Sequence, residues 1–296
     1  MTKRKKHIPA GSMVFDSVNS LLMICFCALV LYPLWHIAVL SFNDGADAIR
    51  GGIYFWPRVF SLENYRRVLG EKQILNAFFI SAARTVTGAA SGVFFTAMVA
   101  YGLSKNHLAG RKLYMITGII TLFFGGGLIP YFLLLRNLRL IDTFLVFIIP
   151  SLFGFYNCLI LITFFQSLPP SLEESAVMDG ANEFLIFIRI ALPLSKAALA
   201  TIALFVGVYH WNDYFSGVIY INNPNLMPVQ TYLYRIVAAG GSSRMAAALP
   251  PGMARFTSSQ ALKLATMVVT TVPILCVYPF LQKFFVKGVL IGAVKG

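Results

Sequence analysis

Charge is what this sequence has least of. Asp, Glu, Lys and Arg make up 12% of the 296 residues, roughly half the share of an ordinary soluble domain. Acids are the scarcer sign, 11 against 24 Lys and Arg. So little charge excludes a disordered chain and most soluble enzymes. Cysteine is sparse too. Cys25, Cys27, Cys158 and Cys276 all fall in apolar runs without zinc-type spacing, which argues against a disulfide framework or a metal site. The histidines His7, His36, His107 and His210 lie in different segments with no nucleophile–base pair beside them, so no catalytic residue and no metal ligand is expected. The pattern G-x-x-x-x-G-K-[ST] does not occur, so the chain cannot cradle nucleotide phosphates by a P-loop. Neither an internal repeat nor a low-complexity tract is visible.

What is present is apolar surface. Apolar residues make up 58% of the chain, against roughly 45–50% in soluble domains, and the mean hydropathy is +0.74. The net charge of +13 could suit nucleic acid, but the cations flank apolar segments and form no reading stripe, so the expected polyanionic neighbour is membrane lipid. About 20 apolar residues cross the hydrocarbon layer as a helix, since lipid satisfies no open backbone. Six stretches reach that length: 17–42, 74–103, 113–135, 143–165, 199–221 and 264–282. Lys3, Arg4, Lys5 and Lys6 precede the first. That stretch is too long for a cleaved signal and lacks a cleavage site, so a retained anchor is expected. Six spans put both termini on one side, and the basic tail makes that side the cytoplasm; the cations of the remaining loops divide almost evenly. The expected layout is a cytoplasmic basic tail (1–16), a first span with an external loop (17–73), a core of spans (74–287) and a cytoplasmic tail (288–296).

Between the fourth and fifth spans the sequence is patterned. Ser171 and Glu174 have capping-box spacing. Gly180 suits the left-handed residue that ends a helix. Asn182 can cap a second short helix with Phe184, Phe187, Ile188 and Ala191 on one stripe and Pro193 as its stop. Two short helices with a tight turn are expected over 167–196, at the cytoplasmic face. Ser175, Ala176 and Ala181 are small enough to admit a partner surface. An ordinary interfacial hairpin fits the pattern equally well.

The string Glu174-Ser175-Ala176, three residues, Gly180, nine residues, Ile190-Ala191-Leu192-Pro193 resembles the EAA motif of permease subunits in binding-protein-dependent ABC importers. Ser175 stands where that motif usually has Ala. Ala100-Tyr101-Gly102-Leu103-Ser104-Lys105 resembles the family's exit from the second span, and Gly127-Leu128-Ile129-Pro130, Leu140-Ile141-Asp142-Thr143 and Trp211-Asn212-Asp213 resemble its carbohydrate branch. Within it, they resemble the lipoprotein-type subgroup that moves polysaccharide fragments such as alginate oligomers. The resemblance implies an all-α integral membrane fold of six transmembrane helices with a cytoplasmic helix-turn-helix coupling segment, the MetI-like fold of type I ABC importers. It implies a bacterial inner-membrane location. It also implies a heterodimer with a second permease, two ATP-binding subunits holding ATP and Mg, an extracytoplasmic solute-binding protein and an oligosaccharide substrate, with no cofactor in this chain. Glu173, Glu174, Ser175, Ala176, Asp179, Gly180 and Ala181 would engage the ATPase.

Arg84 and Asp213 lie within apolar spans, where a buried charge costs a few kcal/mol or more and is normally paired or faces water (about 2.5–3.5 kcal/mol on insertion scales). An ion pair between them, separate cavity-facing placements and direct solute contact all remain open. Tyr209, Trp211, Asn212 and Tyr214 surround Asp213 with the aromatic faces and amides a sugar pathway needs, though helix packing explains them as well. Gly125-Gly126-Gly127 with Pro130 breaks helical regularity, either to line a pathway or to let helices pack closely, packing being slightly favoured. Arg235, Arg244, Arg255 and Lys263 give the 222–263 loop four cations and no acid, which would steer an anionic solute or bind anionic lipid. The alternatives are an importer of neutral oligosaccharides and an ATP-independent secondary transporter, which would normally carry more intramembrane carboxylates.

Overall fold

The computed structural model describes residues 10–48, 50–239 and 260–293. Lys3, Arg4, Lys5, Lys6, Arg244 and Arg255 lie outside the described residues. Every regular element among those described is helical, apart from an isolated bridge between Asn43 and Phe60. They fall into two compact units, divided at 70/71 and again at 269/270.

The first unit holds α1 (Ala10–Ser41), α2 (Gly45–Ala48) and α3 (Glu63–Gly70). Side chains 15–35 of α1 are exposed although most are apolar, the surface of a lipid-facing helix. Its largely apolar stretch of 27 residues, 15–41, is about 40 Å long at 1.5 Å per residue. The helix end leaves carbonyls without intrahelical partners. Asn64 on α3 meets this need, donating from Nδ2 to the carbonyls of Ser41 (3.2 Å) and Asn43 (2.9 Å).

The second unit is built on α4 (Lys72–Ser104). Its buried residues Ala77, Ser81, Arg84, Gly88, Gly92, Thr96 and Ala100 recur every three or four positions. All but Arg84 are small, so neighbouring backbones approach closely, as is usual where lipid supplies no hydrophobic drive between helices. At Gly88 any Cβ would overlap the His210 imidazole.

The remaining elements are more broken than the hydropathy windows suggest. The expected span 113–135 is two helices, α5 (Arg111–Phe123) and α6 (Leu128–Asn137), bent by 117°. Neither is long enough to cross alone. Span 143–165 begins as two 3₁₀ turns, Phe144–Phe147 and Ile149–Ser151, followed by α7 (Phe155–Gln166). Beyond it come α8 (Pro170–Met178), α9 (Glu183–Ile186), a π turn (Phe187–Ala191) and α10 (Leu192–Leu194). The chain then bends by 83° into α11 (Lys196–Asn212), breaks at Asp213, and continues as α12 (Phe215–Tyr220) and α13 (Val229–Ala239). The last helix, α14 (Gln260–Ala293), contributes residues 260–269 to the first unit.

One core cluster joins Ala97, Ala100 and Tyr101 of α4 to Cys158, Leu161 and Phe165 of α7 and to Phe187 and Ala191 beyond α9. A second joins Ile80, Leu135, Val146, Phe147 and Tyr220. Asp142, in the left-handed region at φ 60°, pins that end. Its Oδ1 accepts the backbone N–H of Asn222 (2.9 Å) and Asn223 (2.8 Å). Aspartate is one of the few non-glycine residue types that visit this φ.

Candidate functional site

The segment 170–194 forms the expected short helices around a tight turn. Pro170 occupies the first turn of α8 and Pro169 its N-cap, with no side-chain cap. The capping box expected from Ser171 and Glu174 is therefore not made, because proline starts the helix two residues earlier. At the other end Gly180 has φ +79°. The Ala181 N–H donates to the Ala176 carbonyl and the Gly180 N–H to that of Val177, both at 2.9 Å. This is the full Schellman closure. Asn182 Oδ1 accepts the Leu185 N–H at 2.8 Å, the cap read from sequence. The expected stripe of Phe184, Phe187, Ile188 and Ala191 assumed 3.6-residue turns. The π turn widens the spacing, so Ile186, Phe187 and Ala191 are buried while Phe184 is 61% exposed.

This turn presents Glu174, Ser175, Asp179 and Gly180 to the exterior. Beside them are the apolar Val177 and Met178, the latter 86% exposed. Ala176 and Ala181 are half-buried beneath. Glu173 points the other way and pairs with Lys105 at the end of α4. The Lys105 ammonium also lies 4.2 Å from the Tyr101 ring centroid, and the Tyr101 hydroxyl meets Glu183 Oε2 at 3.1 Å.

Deeper in the same unit, Arg84 is fully buried and paired with Asp213 (Nη2–Oδ2 3.1 Å). The guanidinium also donates Nε–H to the His210 carbonyl (2.7 Å) and Nη2–H to the Asp213 carbonyl (2.9 Å). It lies 4.6 Å from the Phe147 ring centroid. These carbonyls are open because α11 stops at Asn212, so the arginine caps a broken helix and neutralises its acid at once. Asp213 Oδ1 accepts the Ser216 N–H at 3.1 Å and starts α12. Of the three placements open from sequence, the ion pair is the one formed.

Asp213 also borders a cleft of about 810 Å³ whose wall includes Tyr131, Tyr209, Tyr220, Phe153, Asn157 and the backbone of Gly125–Gly127. Around Gly125 and Gly126 a Cβ would meet nothing within 4 Å. The slightly favoured packing role is thus corrected: the glycines open a helix break onto the cleft. Tyr209 and Asp213 reach the cleft, whereas Arg84 lies behind Asp213 and is not among the lining residues. Trp211 packs toward Phe78 (6.4 Å between ring centroids), Tyr214 stacks on Tyr234 (4.8 Å), and Asn212 is exposed; none of the three lines the cleft. Sequence reasoning missed Tyr131, Tyr220 and Asn157, which enter only because distant helix breaks converge. Among the loop cations, Arg235 is half-buried, donates to the Ile221 carbonyl (3.1 Å), and has its pKa lowered by that burial.

Residues 92–291 match the family of binding-protein-dependent transport system inner membrane components. The chain belongs to that family. This permease is 40% identical over 295 residues to Protein LplC of Bacillus subtilis (strain 168), covering 98% of each chain. It is 38% identical to the polygalacturonan/rhamnogalacturonan transport system permease protein YtcP of the same organism, covering 96% of this chain and 99% of that one. Among solved structures it matches a chain of a bacterial ABC transporter involved in the import of the acidic polysaccharide alginate. That match has a TM-score of 0.85 and 29% identity, and covers 95% of this permease and all of that chain. The all-α, MetI-like expectation is borne out, and so is the resemblance to carbohydrate permeases.

Proposed function

We propose that this permease forms half of the transmembrane path of an ATP-driven importer that moves oligosaccharides, acidic polysaccharide fragments in particular, into the cytoplasm. The observation that carries the reading is the cleft. Tyrosine and phenylalanine faces suit the apolar faces of sugar rings, while Asn157, Asp213 and the tyrosine hydroxyls suit their hydroxyls. Helices interrupted at a cavity are what a transport path requires. A second, related permease would close the open side of the cleft, and six spans with both termini cytoplasmic would place the 170–194 turn at the inner face.

Energy would come from two ATP-binding subunits holding ATP and Mg. The exposed Glu174, Ser175, Asp179 and Gly180, over the small Ala176 and Ala181, would seat in their surface. Closure of those subunits around ATP would then draw the turns together and rock the spans between inward- and outward-facing states. A solute-binding protein would deliver sugar to the outer one. The acidic preference is supported by the solutes named for YtcP and for the alginate importer, and by the acid-free 222–263 loop. Among the described residues the cleft wall carries Asp213 and no cation, so solute carboxylates would meet their counter-charges elsewhere, on the companion permease or the binding protein. That same wall favours a second reading, an importer of neutral oligosaccharides. Uptake of labelled galacturonate or alginate oligomers by cells lacking this chain, compared with neutral arabinose oligomers, decides between them. Loss confined to the acidic oligomers is expected; loss confined to the neutral ones would install the second reading.

A further inference from the structure

The external-loop candidate 51–60 is folded back against the end of α1 and partly covered there. Gly51 and Gly52, at φ 68° and 73°, turn the chain back along the end of α1. From there part of its polar backbone is taken up internally, the carbonyls of Ile53, Phe55 and Val59 and the Val59 N–H. Arg58 Nη2 donates to the Gly51 carbonyl (2.8 Å), His36 Nε2 meets the Ile53 carbonyl (2.9 Å), and Trp35 Nε1 donates to the Phe55 carbonyl (3.0 Å). The Val59 N–H reaches Asn43 Oδ1 (3.0 Å) and its carbonyl the Asp44 N–H (2.9 Å). Arg58 in turn is neutralised by Asp47 at 3.2 Å. Each covered group would cost several kcal/mol if left open to hydrocarbon, and the groups left open can reach water at the headgroup level.

The side chains fit the same environment. Tyr54, Phe55, Trp56 and Phe60 are 61–73% exposed, and Val59 about half. Phe55 packs beside Tyr32 (5.8 Å), Trp56 on Trp35 (5.7 Å) and Phe60 on Phe42 (5.6 Å). Through these ring contacts the surface adjoins the exposed apolar face of α1, with Arg58 the exposed charged side chain within it. Trp35 lies about 9 Å before the helix end at 1.5 Å per residue. The 15–41 stretch exceeds the roughly 30 Å hydrocarbon layer by about 10 Å; with that excess at this end, the Trp35–Phe55 bond falls near the hydrocarbon boundary, where tryptophan and tyrosine concentrate.

We infer that residues 53–60 form a strap that lies in the lipid headgroup–hydrocarbon interface and anchors the end of α1 there, its partner being the bilayer. The test uses the importer, purified with its companion subunits and placed in lipid nanodiscs. In a background with Cys25, Cys27 and Cys276 replaced by Ala, nitroxide labels go on Phe55→Cys, Trp56→Cys or Val59→Cys. Leu29→Cys is the lipid reference and Arg66→Cys the water reference. Collisions with oxygen, which dissolves in lipid, should exceed those with a water-borne nickel chelate several-fold more at 55, 56 and 59 than at 66. Nickel access equal to that at 66 would overturn the proposal. Shielding from both reagents would also overturn it, placing a protein on the strap instead. A label-free check is quenching by brominated phospholipid. Trp56→Phe should remove a lipid-quenched part of the emission, and unchanged quenching would count against the strap.

Discussion

α4 is fastened at two polar joints, and they are built on opposite principles. At Arg84 a single cation is sealed from water and held through Nε and Nη2 by an acid and two backbone carbonyls, while Nη1 has no hydrogen-bond partner among the described residues. At the Lys105 end, two ion-bearing contacts, Lys105–Glu173 and Tyr101–Glu183, are part-buried rather than sealed and reach α8 and α9. The sealed joint holds a helix break in one shape. The wetted joint ties the end of α4 to the exposed turn while leaving water free to replace any one contact. Rigidity is placed at the cleft, and adjustability where a partner would dock.

Removing Asp213 should do the most damage. Asp213→Ala strands a buried guanidinium, a loss of about 3–5 kcal/mol, visible as little or no assembled importer. The reversed pair, Arg84→Asp with Asp213→Arg, should not restore assembly, since a carboxylate at 84 would face the His210 and Asp213 carbonyls; full recovery would reduce the joint to a simple ion pair. Next comes Gly88→Ala, which drives a methyl into the His210 ring and should cost about 1–3 kcal/mol, read as a lower thermal midpoint in detergent. The wetted joint should respond least. Glu173→Gln should cost no more than about 1 kcal/mol and leave assembly intact. A loss as large as that of Asp213→Ala would erase the distinction between the joints.

The sequence makes some of this legible and hides the rest for physical reasons. α1 and α4 follow from hydropathy because they are unbroken. Gly180 and Asn182 announce their turn because left-handed backbone and N-caps demand particular residue types. The 117° bend near Gly125–Gly127 and the stop at Asp213 are invisible to an averaged window, which sees apolar residues on both sides. The cleft depends on Tyr131, Asn157 and Tyr220, brought together across separate helices, and no local spacing encodes that. Arg84 and Asp213 are conspicuous as charges in apolar spans. Their pairing became certain only with the open carbonyls of α11 in view.

The central claim is that the exposed 174–182 turn transmits ATP-driven motion into these helices. Its most direct test is Glu174→Lys, with solute uptake and solute-stimulated ATP hydrolysis measured on the assembled, membrane-inserted importer. The account predicts normal insertion with both activities reduced to background. Normal uptake by that variant would contradict it.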